Sequence, residues 1–369
     1  LATPGLRDRN HLIKGTDFIH FYTLGSLALE HRGEALYDMG AQTALLGRRV
    51  PEAAGTRYLP LYGPQVSLLF APLANLTYGY ALASWWFITA DIYALCVFLI
   101  WSTCPNLRHY GGLVFLLALA YPAFWHLIAW GQTSALALAC FTAAYLLLLH
   151  GRPFAAGLAL GCLAFKPQLA IAAAVIFLLS RAGKILIGAL LSAAAQLLAG
   201  WFYYGTATMR DYVAHLLQIP HVTALLEPRL YQTHCLRTFW PMLVPWPVAG
   251  VLLYIITAVI VLAITFRCWR SSLPLGLRYS ALLLATVPVS PHLTVYDLAI
   301  LAPALLVLAD WLLVNATAPD HRHVATLSYL IYVLPLIGFT ARWTHVQLSV
   351  IAMTALVWIL GRTPERRPV

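Results

Sequence analysis

Charge is scarce in this chain: Asp, Glu, Lys and Arg make up 10% of 369 residues, and 13 of them are acidic. A soluble globule could not hide the 61% of residues that are hydrophobic, so a mean hydropathy of +0.77 excludes that class and identifies a polytopic membrane protein. Cysteine is sparse too. Cys96, Cys104, Cys140, Cys162, Cys235 and Cys268 have no paired spacing, which argues against a disulfide framework and a zinc site. There is no glycine-rich phosphate loop and no Gly-x-Ser-x-Gly elbow, so a nucleotide-driven pump and the common hydrolases are not expected. His321-Arg322-His323 and the scattered histidines lack metal-ligand spacing and carboxylate partners; no metal and no other cofactor is expected. The net charge of +10 sits in short loops without an aromatic-interleaved stripe, which reads as membrane topology and not as nucleic-acid binding. No apolar run precedes residue 17 that could serve as an h-region, so this N-terminal segment is not expected to be a secretion signal.

What is present is a series of long apolar runs, and one helical bundle can take the whole of 1–369 as a single transmembrane domain. With roughly 20 residues needed per crossing, the runs at 80–103, 110–129, 132–150, 184–204, 245–266, 274–290, 296–313, 324–340 and 344–361 predict about nine spans. The stretch around Lys166-Pro167 differs, because Pro153 to Phe165 and Gln168 to Ser180 each rise only roughly 20 Å. Two half-length helices meeting at the lysine predict a re-entrant hairpin; one long tilted helix kinked at the proline is the alternative. A charge at that depth costs several kcal/mol, roughly 3 by insertion scales, and so marks a site. With the hairpin, Arg108, Arg152, Arg181, Lys184, Arg267, Arg270, Arg278, Arg322, Arg362, Arg366 and Arg367 share one side, which the positive-inside rule makes cytoplasmic. Asp91, inside the first span, is expected to be paired within the bundle.

The purposeful polar residues fall on the other side. From Asp17 the spacing of Phe18, Phe21, Leu24 and Ala28, ending in Glu30, His31 and Arg32, predicts an amphipathic helix on the outer membrane surface. A second apolar piece, 65–76, is too short to span and is expected at the interface. Because the chain has to reach this region from the cytoplasm, a first transmembrane helix upstream of Leu1 is expected. The segment 205–243, with Tyr204 just before it, carries Arg210, Asp211, Glu227, Arg229, Tyr231, His234, Arg237 and Trp240, suited to a polar acceptor but also to an ordinary solvated loop.

These residues carry a resemblance. Gly15-Thr16-Asp17-Phe18, Tyr22 and Gly25, then Gly33-Glu34-Ala35-Leu36-Tyr37-Asp38, resemble the start of the polyprenol-phosphate-mannose-dependent mannosyltransferases of glycosyltransferase family 87. Gly131-Gln132-Thr133-Ser134 resembles that family's Gly-Gln-x-Asn helix start. His150-Gly151-Arg152 with Ala156-Gly157-Leu158, Gly161 and Lys166-Pro167 resembles its central signature, and Ser290-Pro291-His292 with Tyr296-Asp297-Leu298 its late motif. Tyr62-Gly63-Pro64 stands where the family usually has Tyr-Pro-Pro, and Ser134 where it has Asn. The resemblance implies an all-α polytopic bundle of the GT-C type, with a catalytic carboxylate in the first extracytoplasmic loop at the position of Asp17.

Sugar transfer from a phosphate-linked lipid needs a base for the acceptor hydroxyl and cations or donors for the leaving phosphate. Asp17 is the candidate base, although Thr16 or Asp17 could instead cap the following helix. Lys166 is the candidate for the phosphate, against a lysine that snorkels to the headgroups. His292 and Arg342 could add donors; the alternatives are an interface histidine and an Arg342-Trp343 anchor pair. Gln132 and Ser134 open a helix whose positive end suits a phosphate or sugar hydroxyl, with simple capping as the alternative. Asp297 and Tyr296 could bind sugar hydroxyls or, through Asp297, pair with Lys166, or Asp297 could simply favour a first helical turn. Tyr22 and Gln168 complete the expected substrate-binding set.

The expectation is an inner (plasma) membrane glycosyltransferase with its site on the extracytoplasmic side. It would move a mannosyl or other hexosyl residue from a polyprenyl-phosphate sugar, its lipid co-substrate, to a glycan or glycolipid acceptor with inversion, among membrane lipids. A transporter or flippase of a lipid-linked sugar also uses broken helices with charged tips, but the Lys166-Pro167 segment has no counterpart in the second half of the chain.

Overall fold

A computed structural model describes residues 3–219 and 229–362; Glu227, Arg366 and Arg367 lie outside the described residues. Helices account for the described fold, and no strand occurs among those residues. In chain order they are α1 (Phe18–Leu29), α2 (Met39–Arg49), α3 (Pro64–Ala74), α4 (Tyr78–Ser102), α5 (Gly111–Ala120), α6 (Pro122–Trp130), α7 (Ser134–Leu149), α8 (Pro153–Gly161), α9 (Ile171–Leu179) and α10 (Gly183–Gln218). After these come α11 (Leu236–Leu243), α12 (Pro247–Arg270), α13 (Leu275–Val289), α14 (Ala302–Val314), α15 (His321–Val333), α16 (Ala341–Thr344) and α17 (Leu348–Arg362).

Each expected span coincides with a helix or a helix pair, but their lengths differ from the expectation. Among the described residues four helices are long and apolar enough to cross a membrane: Tyr78–Ser102, Gly183–Gln218, Pro247–Arg270 and Val295–Val314. Two bent pairs, Pro105–Ala120 with Pro122–Trp130 at 48° and His321–Leu336 with Gly338–Thr344 at 73°, bring the number to six if each pair makes one crossing. The runs at 132–150, 274–290 and 344–361 give helices of 16, 15 and 15 residues, shorter than the roughly 20 a straight crossing takes. Proline and glycine are the cause of the breaks: Pro122 cannot continue α5, and Gly338 follows the turn at Pro335.

The chain around Lys166 forms the hairpin. Lys166 has φ −138° and ψ 64°, outside the helical region that the following proline disfavours, so the helix breaks there. α8 runs beside α10 in the same direction: a Cβ on Gly157 would lie 2.1 Å from the Ile185 carbonyl oxygen, and one on Gly161 2.3 Å from that of Ala189. Gln196 Nε2 also donates to the Gly161 carbonyl at 3.0 Å. Because α10 starts level with the start of α8, the chain returns after Lys166, and Phe177 on α9 packs edge-on against Trp269 near the end of α12 at 5.1 Å. The tip is level with the start of α7, where Ser134 lies 3.2 Å from Lys166. A single kinked helix is therefore excluded. Glycines at 157 and 161 make this packing possible, since they let two backbones touch. Gly157→Val should destabilise the protein by about 1–3 kcal/mol, because the clash is with backbone and no side chain can yield; a lowered melting temperature in detergent checks it.

The helix after Asp17 departs from the expectation of a surface amphipathic element. Every residue from Phe18 to Ala28 is buried. Gly25 allows the α3 backbone to approach, with a Cβ there only 2.5 Å from the Phe70 carbonyl oxygen. Phe18 and Phe21 pack on Phe70 at 6.2 and 4.8 Å, and Phe18 stacks on Trp85 at 6.0 Å. The helix with one buried face is α2, which buries Gln42, Leu45 and Leu46 and ends in Arg48 and Arg49. The 65–76 piece is α3. Asp91, expected to be paired inside the bundle, is exposed on the outer face of α4.

The two ends of the bundle differ in chemistry. At one end the Asp310 carboxylate accepts from the backbone N–H of Asn106 and Leu107 at 2.8 and 3.2 Å, and Arg278 lies 5.6 Å over the Trp269 ring. Arg108, Arg267 and Arg270 belong to this end by their neighbours. The opposite end collects Asp17, Gln132, Lys166 and Asp297.

Candidate active site

Asp17 precedes α1 but caps nothing: no α1 N–H group bonds to its side chain, and Thr16 Oγ1 donates to the Ile13 carbonyl at 3.1 Å. Its backbone N–H is held by the Trp130 carbonyl at 2.9 Å, which brings the first outer segment against the end of α6. Gly131 makes that approach possible. It adopts the left-handed region at φ 67°, and a Cβ there would fall 2.5 Å from Cβ of Phe18. Trp85 Nε1 fixes the same turn by donating to the Gly131 carbonyl at 2.9 Å.

From this turn Gln132 bridges two charged groups. Its Nε2 donates to Asp17 Oδ2 at 2.6 Å and lies 3.2 Å from the Tyr296 hydroxyl, while its Oε1 accepts from Lys166 Nζ at 3.4 Å and from the Thr133 backbone N–H at 3.1 Å. Lys166 Nζ is 2.5 Å from Asp297 Oδ1, 3.2 Å from Ser134 Oγ and 5.0 Å from the centre of the Tyr296 ring. Ser134 also donates to Asp297 Oδ1. Lys166 and Asp297 are 4% and 3% exposed, so the ion pair is dry, and the three ammonium protons have three acceptors within the protein. Asp297 does both things weighed for it: it pairs with Lys166 and closes a capping box with Thr294, accepting from that residue's N–H at 3.2 Å.

Two cavities meet at this network. One, of about 580 Å³, is lined by Asp17, His126, Trp130, Arg229, His234 and Tyr296, among others. The second, of about 550 Å³, lies between the hairpin tip and the end of α10 and is lined by Tyr62, Lys166, Gln168, Arg237, Asp297 and Leu216, among others. His292 and Tyr296 belong to both walls. Burial raises the Asp17 carboxyl to about 6; the Gln132 hydrogen bond and the Lys166 charge lower it, and Asp297 raises it, without cancelling the burial effect. His234, buried with its Nδ1 2.6 Å from Ser349 Oγ, is lowered to about 3 and is neutral at physiological pH.

The expected site residues are therefore mostly together. Asp17, Gln132, Ser134, Lys166, Tyr296 and Asp297 form one hydrogen-bonded chain, and His292 and Gln168 line its cavities. Two are elsewhere. Tyr22 is buried with its hydroxyl donating to the Leu76 carbonyl at 2.9 Å, a link between α1 and the turn after α3. Arg342 is exposed on α16 and lines neither cavity. Arg237 and Arg229 occupy the cavity walls instead, both from the segment that also reads as a solvated loop. His126 sits inside an apolar helix with nothing in its neighbours to single it out; Tyr62, next to the helix-starting Gly63-Pro64, could have been found from its family motif. Among the described residues no cluster of His, Cys, Asp or Glu is arranged to hold a metal ion.

This arrangement can take a proton at Asp17 and place positive charge in the adjoining cavity. Neither curated proteins nor solved structures yield a match to the chain. The model of glycosyltransferase family 87 matches residues 61–291, which include Gln132, Ser134, Lys166 and Gln168, whereas Asp17, His292, Tyr296 and Asp297 lie outside the matched span and join it through the fold. With more than half of its length so matched, the chain belongs to glycosyltransferase family 87 and is a membrane glycosyltransferase.

Proposed function

We propose that the chain transfers a hexosyl residue, mannose by the family resemblance, from a polyprenyl-phosphate donor to a hydroxyl of a glycan or glycolipid, with inversion, on the extracytoplasmic side of the inner membrane. The observation that carries this reading is the position of Asp17: a carboxylate of raised pKa, unused by its own helix, faces one cavity and is joined through Gln132 to the cationic wall of a second. In the reaction, Asp17 takes the acceptor O–H proton as the oxygen forms its bond to the anomeric carbon. The bond from that carbon to the phosphate oxygen breaks on the opposite face, and polyprenyl phosphate leaves with the electron pair. Displacement from behind turns a β-linked donor into an α-linked product.

The role of Lys166 follows from its partners. With Asp297 at 2.5 Å its charge is largely spent inside the protein, so it fixes the hairpin tip and Gln132 more than it supplies free charge. Arg237 and His292, on the same cavity wall, are the groups we assign to the leaving phosphate, a planar guanidinium being suited to two phosphate oxygens. No cofactor is needed, since the phosphate ester is itself activated.

The test is purified protein in nanodiscs with radiolabelled mannosyl phosphopolyprenol and a panel of glycolipid and free glycan acceptors. Appearance of an α-linked mannosyl product supports the reading. Absence of transfer to every acceptor, or a product of retained configuration, overturns it. The pH profile adds a check on the base: kcat/KM should fall below pH about 6, where Asp17 becomes protonated, and level off above it.

A further inference from the structure

One wall of the cavity that Asp17 lines takes no part in proton or phosphate transfer. Arg229, Tyr231, Gln232 and His234 line it, and all come from the segment after α10 whose sequence suits a solvated loop as well as a binding surface. The segment is firmly held. His234 N–H donates to the Leu293 carbonyl at 2.9 Å, and Thr233 pairs with Thr294 in an antiparallel bridge, which ties this wall to the turn that carries Tyr296 and Asp297. From a third part of the chain, Gln347 Nε2 donates to the Tyr231 and Thr233 carbonyls at 3.0 and 3.2 Å. Thr233, Gln347 and Ser349 are all buried, so these bonds form away from water.

His234 is the buried side chain of this wall, 1% exposed, and its two ring nitrogens face different ways. Nδ1 lies 2.6 Å from Ser349 Oγ on α17. The opposite edge of the ring borders Gly338, where a Cβ would stand 3.2 Å from Cε1 and 3.6 Å from Nε2. With only hydrogen at 338, and with both residues lining the cavity, Nε2 is left to the cavity. Nitrogens buried in a protein are as a rule paired, because an unmade hydrogen bond there is costly. A ring fixed through one nitrogen and open to a cavity through the other suits a ligand contact.

The reaction decides which ligand. Asp17 lines this cavity and not the one at the hairpin tip, and a base must touch the hydroxyl it deprotonates, so the molecule held here is the acceptor. Burial keeps the His234 ring neutral and a poor base, so proton removal stays with Asp17. What a neutral imidazole nitrogen offers is one hydrogen bond, as donor or as acceptor, and a sugar hydroxyl can meet either. We infer that His234 Nε2 binds a hydroxyl of the acceptor sugar other than the one that attacks, and that Ser349 and Gln347 are positioning residues that hold the ring and its backbone for that contact. This rests on the proposed function for the assignment of Asp17, but its test does not require turnover.

Asparagine and glutamine divide the ring between them. The amide of His234→Asn can reach Ser349 as Nδ1 does, and the amide of His234→Gln can reach the cavity as Nε2 does. Protein in nanodiscs, loaded with polyprenyl phosphate, is titrated with the methyl α-glycosides of mannose, glucose and galactose, and binding is read by saturation-transfer NMR. At least one glycoside should bind saturably to the wild type. His234→Asn should raise its dissociation constant about tenfold, the loss of one hydrogen bond, while His234→Gln stays within about threefold of the wild type. Ser349→Ala should weaken binding about threefold and Ser349→Thr restore it. Where sugar is transferred, His234→Asn should raise the acceptor KM and leave kcat unchanged, since the contact is made equally before and in the transition state. Any other order overturns the inference: asparagine keeping what glutamine loses, which would make His234 structural only, or the two variants equal, or a wild type that binds none of the glycosides saturably. If wild-type protein transfers no sugar yet binding follows the expected order, the function reading fails and the His234 contact stands.

Discussion

Asp17→Asn should leave the protein folded and reduce sugar transfer by about 10²–10⁴-fold, the range over which positioned general bases act. The fold should not suffer, because the side chain makes no cap and its side-chain partners are the Gln132 amide and the Tyr296 hydroxyl, to which an asparagine oxygen can still bond. Stability should in fact rise. A carboxyl raised from 3.8 to about 6 by burial is an acid whose ionised form the folded state disfavours. Its destabilising effect begins as pH rises above the unfolded value and is complete above about 6. A neutral asparagine avoids it, so at pH 7.5 the variant should gain on the order of 1 kcal/mol, after allowance for the part of Asp17 that faces the cavity. At pH 4 the gain should vanish. A thermal shift in one detergent at both pH values, together with donor binding measured on the same sample, separates loss of chemistry from loss of structure. Wild-type turnover in this variant would move the base elsewhere.

Much of this site can be read in the sequence because intramembrane charge is expensive. Lys166 before a proline in an apolar run announces both a break and a site, and the sidedness of the arginines turns that break into a hairpin. Helix positions are legible for the same reason that apolar runs must be long. What the runs do not disclose is where they bend: Pro122 marks its break locally, but no proline stands at the 73° turn just before Gly338, and nothing local says that Arg342 beyond it ends exposed and outside both cavities. The burial of α1 was hidden as well. Phe18, Phe21, Leu24 and Ala28 suit one apolar face, and only the close approach of α3 over Gly25 makes the other face buried too. Partners in the network are out of reach for a different reason. Asp17 and Gln132 are 115 residues apart and Lys166 and Asp297 are 131 apart, so nothing local selects Gln132 as the bridge or spends the charge of Lys166 on Asp297.

That spent charge gives the second large effect. Lys166→Met leaves Asp297 buried without its cation and should cost about 3–5 kcal/mol, the usual consequence of breaking a dry ion pair from one side. Asp297→Asn alone strands the ammonium and should cost a similar amount. The double variant removes both charges and should recover most of the loss, so the cycle should show a coupling of several kcal/mol, at the roughly 3 kcal/mol limit of contacting pairs. Stability alone would not tell a structural pair from a positioning one, and the pH profile does. The positive charge of Lys166 lowers the Asp17 pKa and the negative charge of Asp297 raises it. Lys166→Met should therefore move the acid limb of kcat/KM above pH 6, Asp297→Asn should move it below, and the double variant should return it close to the wild-type position. Activity should not return with it, because Gln132 Oε1 has then lost the lysine that orients it and the amide no longer presents its N–H firmly to Asp17. Opposite displacements of the limb by the two single variants would place the base within the field of this ion pair. A limb that stays fixed in both would mean that the group being titrated is not Asp17.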